Sequence, residues 1–198
     1  MTHALIVIDV QNDFCPGGAL EVPQGDEILR GINALMPEFD AVVLTQDWHP
    51  AGHSSFASSH KNNTPYEIVT MPYGPQVLWP DHCIQGSIGA QFHPELQADR
   101  ADLIIRKGYN PDIDSYSAFF ENDHRTPTGL EGYLRTRGIE RLTMVGLALD
   151  FCVNFSAVDA AKLGFKVEVR EDLCRAIDLD GSLAKSREGM RAAGVTLA

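Results

Sequence analysis

Two groups of residues in this chain have the types and the spacing to do chemistry. The first centres on Cys152, within Val145-Gly146-Leu147-Ala148-Leu149-Asp150-Phe151-Cys152-Val153. The apolar run from Leu142 leads into this stretch, and Ala157, Val158, Ala160, Ala161 and Leu163 follow it three and four residues apart. Cys152 therefore falls in the first turn of a helix that springs from the carboxyl end of a strand. Unpaired N–H groups and the positive end of the helix dipole stabilise a thiolate there, and could hold an oxyanion one bond away. A packed core thiol is the competing reading, because cysteine is among the most buried residue types. The second group is Asp47, His49 and His82. Asp47 and His49 stand two apart at a strand end and so point to one face. With His82 brought in by a loop, they make a two-histidine, one-carboxylate set with open positions. Such a set suits one divalent ion, Zn²⁺, Fe²⁺ or Mn²⁺, without choosing among them. Against it stands the plain fact that exposed loop histidines are common.

The elements that must position these residues are legible in the hydrophobic pattern. Ala4-Leu5-Ile6-Val7-Ile8 is a continuous apolar run suited to a strand covered on both faces, and it ends at Asp9. A helix is expected over Asp26 to Met36, closed by Pro37. Ala41 to Leu44 is a second buried strand running out towards Asp47, and Leu103-Ile104-Ile105 a third, ending at Arg106-Lys107-Gly108. Residues 50 to 100 between them read as a long irregular loop, of the kind that is usually functional. Thr128-Gly129-Leu130-Glu131 matches a capping box for a helix that stops at Gly138. The strand and helix around Cys152 come next. Lys166 to Val169 makes a more exposed strand, Ser182 to Ala193 a last helix, and Val195 to Leu197 a short final strand. This alternation means an open, mostly parallel, doubly wound α/β sheet with helices on both faces, formed as one domain over residues 1–198. Ligands in such sheets sit outside the carboxyl ends of the strands. Asp9, Asp47, Lys107 and Cys152 all arrive at that edge. Singly they could be an N-cap, a turn carboxylate, a surface lysine and a core thiol; together they are harder to set aside.

Composition narrows the class of function. Sixteen basic residues against 27 acidic ones leave a formal net charge of −11, which argues against nucleic acid or an anionic membrane as partner and leaves a small molecule. The four cysteines are widely spaced with no C-x-x-C pair, as expected of free thiols in a reducing cytoplasm. The chain enters its first strand without a charged leader, and no apolar run approaches the roughly 20 residues of a membrane span. A soluble cytoplasmic protein, with room for a homo-oligomer, is expected from these bounds.

The motifs Ile8-Asp9-Val10-Gln11-Asn12-Asp13-Phe14, Asp47-Trp48-His49-Pro50, Trp79-Pro80-Asp81-His82-Cys83, Lys107-Gly108 and Gly146 to Val153 span nearly the whole sequence. In them the chain resembles the nicotinamidase/pyrazinamidase family of the isochorismatase-like cysteine hydrolases. That resemblance implies hydrolysis of nicotinamide, and of pyrazinamide, through a thioester on Cys152, in NAD salvage. It makes Asp9 the proton carrier and Lys107 the charge that favours a thiolate and keeps Asp9 ionised. It also implies an oxyanion hole from the backbone N–H groups of Ala148 and Cys152, set by a cis peptide between Leu147 and Ala148. Asp47, His49 and His82 become metal ligands, with His53 the leading protein candidate for a fourth and Ser54, Ser55 or water its rivals. Phe14, Leu20, Trp79 and Tyr109 match positions that line the substrate pocket; Phe151 stands where some relatives carry histidine. Cys15, Cys83 and Cys174 are expected to be structural. Other readings remain at this stage: an amidohydrolase for carbamoyl or ureido substrates, a binding protein on the same fold, or a thiol redox sensor.

Overall fold

The computed structural model describes residues 2–198. In chain order the elements are β1 (Thr2–Ile8), α1 (Leu29–Leu35), β2 (Ala41–Asp47), β3 (Ile68–Met71), β4 (Gly74–Val77), β5 (Leu103–Lys107), α2 (Leu130–Thr136), β6 (Ile139–Leu147), α3 (Asn154–Lys162), β7 (Lys166–Arg175), α4 (Ser182–Ala192) and β8 (Thr196–Leu197). Six strands form one sheet in the order β5-β2-β1-β6-β7-β8, every neighbouring pair parallel, with the helices around it. The uniformly apolar runs become the inner strands: β2 is buried at all seven positions and β1 from Ala4 onward. β5, at the edge, alternates between half-buried and exposed until Lys107, which is buried. That one departure from an edge-strand pattern marks where the sheet meets the site.

Strand order reverses between β1 and β6, so their carboxyl ends diverge and leave a crevice. Ile8 is paired with Gly146 at its floor. Gly146 has φ +117°, and a Cβ there would lie 2.1 Å from the Ile8 carbonyl oxygen, so only glycine lets these two strand ends approach. On the other side β2 and β5 pair Asp47 directly with Lys107. Four chain ends from four adjacent strands thus surround one point.

Several boundaries differ from the sequence expectation. The first helix begins at Leu29, residues 26–28 being turns, and Pro37 sits inside a following 3₁₀ turn, Met36–Glu38, where its missing N–H costs nothing. The capping box at Thr128 is incomplete: Gly129 caps α2 in a left-handed conformation, and the Thr128 hydroxyl takes the N–H of Leu130. β7 continues to Arg175 through an irregularity in its pairing with β6. The long 50–100 segment carries an antiparallel hairpin, β3 with β4. Among the described residues no helix is long and apolar enough to cross a membrane.

Candidate active site

Asp9 directly follows β1, with no exposure to solvent and a left-handed backbone, φ +49°. Thr45 on β2 fixes it twice: its hydroxyl accepts the Asp9 N–H at 3.1 Å and donates to Oδ1 at 2.5 Å. The other carboxylate oxygen, Oδ2, lies 2.8 Å from Lys107 Nζ. Lys107 also bonds Asp47 Oδ1, donates to the Ser115 carbonyl at 2.9 Å and stands 3.4 Å from Cys152 Sγ. Its one ammonium therefore joins both carboxylates and the thiol. Cys152 lies in a π-helical turn, Leu149–Val153, that precedes α3 rather than in the first turn of a regular helix. The turn closes on the Ala148 carbonyl, which accepts the N–H groups of Phe151 and Val153, both at 3.1 Å. The Leu147–Ala148 peptide is cis.

Burial and the charges of this cluster act on the thiol together. Burial pushes Cys152 up; Lys107 pulls it down, but Asp9 and Asp47 push it up again, and the thiol ends well above its ordinary value. Burial likewise raises Asp9, with Lys107 opposing and Asp47 reinforcing. Burial would lower Lys107, yet Asp47 and Asp9 hold it well above the usual lysine value. Burial is the largest of these effects on the thiol, and it opposes the thiolate that Lys107 would favour.

On the far side of Asp47, Oδ2 lies 3.6 Å from His49 Nε2 and 3.8 Å from His82 Nε2. The Nδ1 of His49 contacts the Gly108 carbonyl and that of His82 the Pro80 carbonyl, both at 2.8 Å. A carbonyl only accepts, so in a neutral ring each Nδ1 carries the hydrogen and each Nε2 presents a lone pair. Two such lone pairs and a carboxylate oxygen converge on one place, an arrangement that a cation there would satisfy. All three side chains are buried. The residues fit a divalent ion.

Above the thiol opens a pocket of about 330 Å³, its mouth included, walled by Phe14, Leu20, Trp79, Tyr116, Phe151 and Ile177 and reaching Asp47, His82, Asp114, Ala148 and Cys152. Phe151 meets Trp79 edge to face, centroids 4.9 Å apart at 86°. Flat aromatic walls with polar groups confined to the inner end suit a small planar ligand.

An isochorismatase domain profile matches residues 3–198. The nicotinamidase of Acinetobacter baylyi is 54% identical over 97% of this chain and 90% of its own length. The chain belongs to the nicotinamidase/pyrazinamidase family of isochorismatase-like hydrolases. Among solved members, a nicotinamidase–pyrazinamidase from Acinetobacter baumanii superposes with a TM-score of 0.98 at 54% identity, over 99% of this chain and 95% of that one. A Pyrococcus horikoshii pyrazinamidase, solved in complex with zinc, gives 0.79 at 35% identity, over 100% and 99% of the two chains.

Within this family's fold the chain brings together Asp9, Lys107 and Cys152, and likewise Asp47, His49 and His82, as their strand ends suggested. His53 stays outside the second cluster. Its Nδ1 accepts the Ser55 N–H at 3.1 Å and its Nε2 contacts the Asn110 carbonyl at 2.8 Å, so both ring nitrogens are taken. Tyr109 is not a wall: Gly108 turns the chain outward with φ +66°, and Tyr109 is 52% exposed. Tyr116, seven residues on, fills that role. Cys83 is buried, its sulfur accepting the Gln11 side-chain N–H at 3.3 Å. Burial pushes Cys15 up to about 11 and Cys174 to about 12, and neither faces the pocket. Sequence reasoning missed Thr45, Asp114, Tyr116 and Ile177. Thr45 carried a usable signal, a polar residue inside an otherwise apolar strand; the other three carried none.

Proposed function

We propose that this protein hydrolyses nicotinamide to nicotinate and ammonia, and pyrazinamide to the corresponding acid. The observation that carries the reading is the sharing of Lys107 by Asp9, Asp47 and the Cys152 thiol at the inner end of an aromatic pocket. Asp9 takes the thiol proton as Sγ bonds to the amide carbonyl carbon. The N–H groups of Ala148 and Cys152 receive the oxyanion. The C–N bond then breaks, and Asp9 passes its proton to the departing nitrogen, which leaves as ammonia. Water attacks the thioester, Asp9 accepts a proton from it, the C–S bond breaks, and the proton returns to sulfur. Lys107 keeps a positive charge beside Asp9 throughout, which steadies the carboxylate whenever it is ionised.

Asp47, His49 and His82 hold one divalent ion in this reading, and the zinc-bound pyrazinamidase relative favours zinc. When bound, the ion supplies a Lewis-acid position for the pyridine nitrogen. His53 would not be among the residues that hold it, since both its ring nitrogens are engaged elsewhere. His82→Ala is expected to weaken metal binding more than about 100-fold, a loss beyond that of an outer-shell partner, and elemental analysis of the purified variant checks it. Benzamide keeps the shape of nicotinamide but lacks the ring nitrogen. The loss of one buried ligand contact, about 2–4 kcal/mol, should lower its kcat/KM roughly 30- to 1,000-fold, while pyrazinamide keeps the nitrogen and the rate. Equal kcat/KM for benzamide and nicotinamide would remove the ring-holding role from the metal site.

Four free cysteines suit a reducing compartment, and a cytoplasmic enzyme of NAD salvage completes the proposal. The test is ammonia release from nicotinamide by the purified protein, with metal content measured on the same sample. Stoichiometric ammonia and nicotinate support it; a metal-loaded protein that leaves nicotinamide intact overturns it.

A further inference from the structure

The β3–β4 hairpin contributes nothing to the reacting groups, yet it carries a polar side chain with no exposure at all, Gln76. Its amide nitrogen lies 2.8 Å from the Tyr116 hydroxyl, 2.9 Å from Asp114 Oδ2 and 2.8 Å from the Val77 carbonyl, three acceptors that share its two N–H groups. Its amide oxygen accepts Asn122 Nδ2 at 3.0 Å and the Tyr73 hydroxyl at 3.2 Å. Donors face the oxygen and acceptors face the nitrogen, so the amide is held in one orientation. The Tyr116 hydroxyl accepts a second N–H, from Trp79 Nε1 at 3.1 Å. Gln76 does not itself line the pocket.

We infer that Gln76 is a positioning residue that sets the spacing and tilt of the Trp79 and Tyr116 walls, and through them the affinity for a planar ring. The inference rests on the pocket being the substrate site, as proposed above. Trp79 and Tyr116 come from different segments, one following β4 and the other in the irregular stretch after β5. Their rings touch edge to face, centroids 6.2 Å apart at 82°, which by itself is a weak and shallow preference. The hydroxyl between them fixes the geometry. Trp79 Nε1 and Gln76 Nε2 both approach it, and Gln76 is in turn held by Val77, Asp114, Asn122 and Tyr73. An apolar residue at 76 would leave the hydroxyl with Trp79 as its remaining hydrogen-bond partner, and the ring held otherwise only by packing on Trp79, Phe151 and Phe155. A supporting side chain of this kind decides whether a site is tight or loose without touching its ligand.

The experiment compares the parent with Gln76→Leu, Tyr116→Phe and the double variant. Each single change should raise KM for nicotinamide about tenfold with kcat within about threefold, the size expected of one buried hydrogen bond. The double variant should be no worse than about threefold beyond either single, because both changes break the same link. The same variants, made with Trp48→Phe so that Trp79 is the sole tryptophan, are titrated with acrylamide. Trp79 is 3% exposed, and its quenching should rise at least about twofold when the link is cut. Singles with KM near that of the parent, effects that multiply in the double variant, or unchanged quenching would each overturn the inference. Should Gln76→Leu not fold, Tyr116→Phe decides alone by the same KM and quenching criteria. Quenching needs no turnover, so a protein inert towards nicotinamide but with the expected quenching refutes the activity and not the role of Gln76.

Discussion

Cys152→Ala is expected to abolish turnover of nicotinamide, by roughly 10⁴-fold or more, as removal of a covalent nucleophile does where its partners act as a unit. The fold should survive, because the substitution removes one sulfur from a turn that is closed by backbone bonds to the Ala148 carbonyl. Metal content should survive as well, since the thiol is not one of the groups that converge on Asp47, His49 and His82. Steady-state ammonia release, thermal melting and elemental analysis of the same preparation separate the three effects. Turnover within tenfold of the parent would remove the cysteine from the mechanism.

Lys107→Met should be the most destabilising single change in the site. The ammonium is the shared partner of two buried carboxylates, Asp9 and Asp47, and its side chain is inaccessible to solvent. Breaking a buried pair in this way leaves charge without compensation, a cost of about 3–5 kcal/mol. Melting or urea titration reads that loss directly. The variant should lose metal affinity as well as activity, because Asp47, which faces both histidines, is held from behind by Lys107. Lys107 is the one side chain that touches Asp9, Asp47 and Cys152 alike, so its loss should be felt on both sides of Asp47. A Lys107→Met protein of parental stability and undiminished metal content would show the two halves to be separate.

How far this arrangement could be read in advance depended on which physical signal each part carries. Ala4 to Ile8 and Ala41 to Leu44 announce themselves as inner parallel strands because burial on both faces demands unbroken apolar runs. Once those strands are known, Asp9, Asp47, Lys107 and Cys152 follow as edge residues by chain topology alone. The contact of Lys107 with Asp47 did not follow, because register decides it: the two meet only because β2 and β5 pair them directly. Tyr109 and Tyr116 are equally aromatic and both follow β5; the left-handed turn at Gly108 separates them, and no pattern in 108–129 reveals it. The β3–β4 hairpin was hidden for a similar reason. Gly74 and Pro75 read as loop residues, and only Gln76 of β4 is fully buried. The surroundings of Cys152 were equally hidden. One lysine beside a cysteine suggests a thiolate, but the depth at which Cys152 is buried opposes that charge, and depth is not written in the sequence.

The covalent intermediate is the most direct test of the central reading. Purified protein is mixed with nicotinamide, quenched in acid within the first turnover, and the intact chain and its Cys152 peptide are weighed by mass spectrometry. The expected result is a transient mass increase of one pyridine-3-carbonyl group on Cys152, released as nicotinate, and absent from Cys152→Ala. Steady ammonia production with Cys152 unmodified at every quench time, and undiminished in Cys152→Ala, would contradict it.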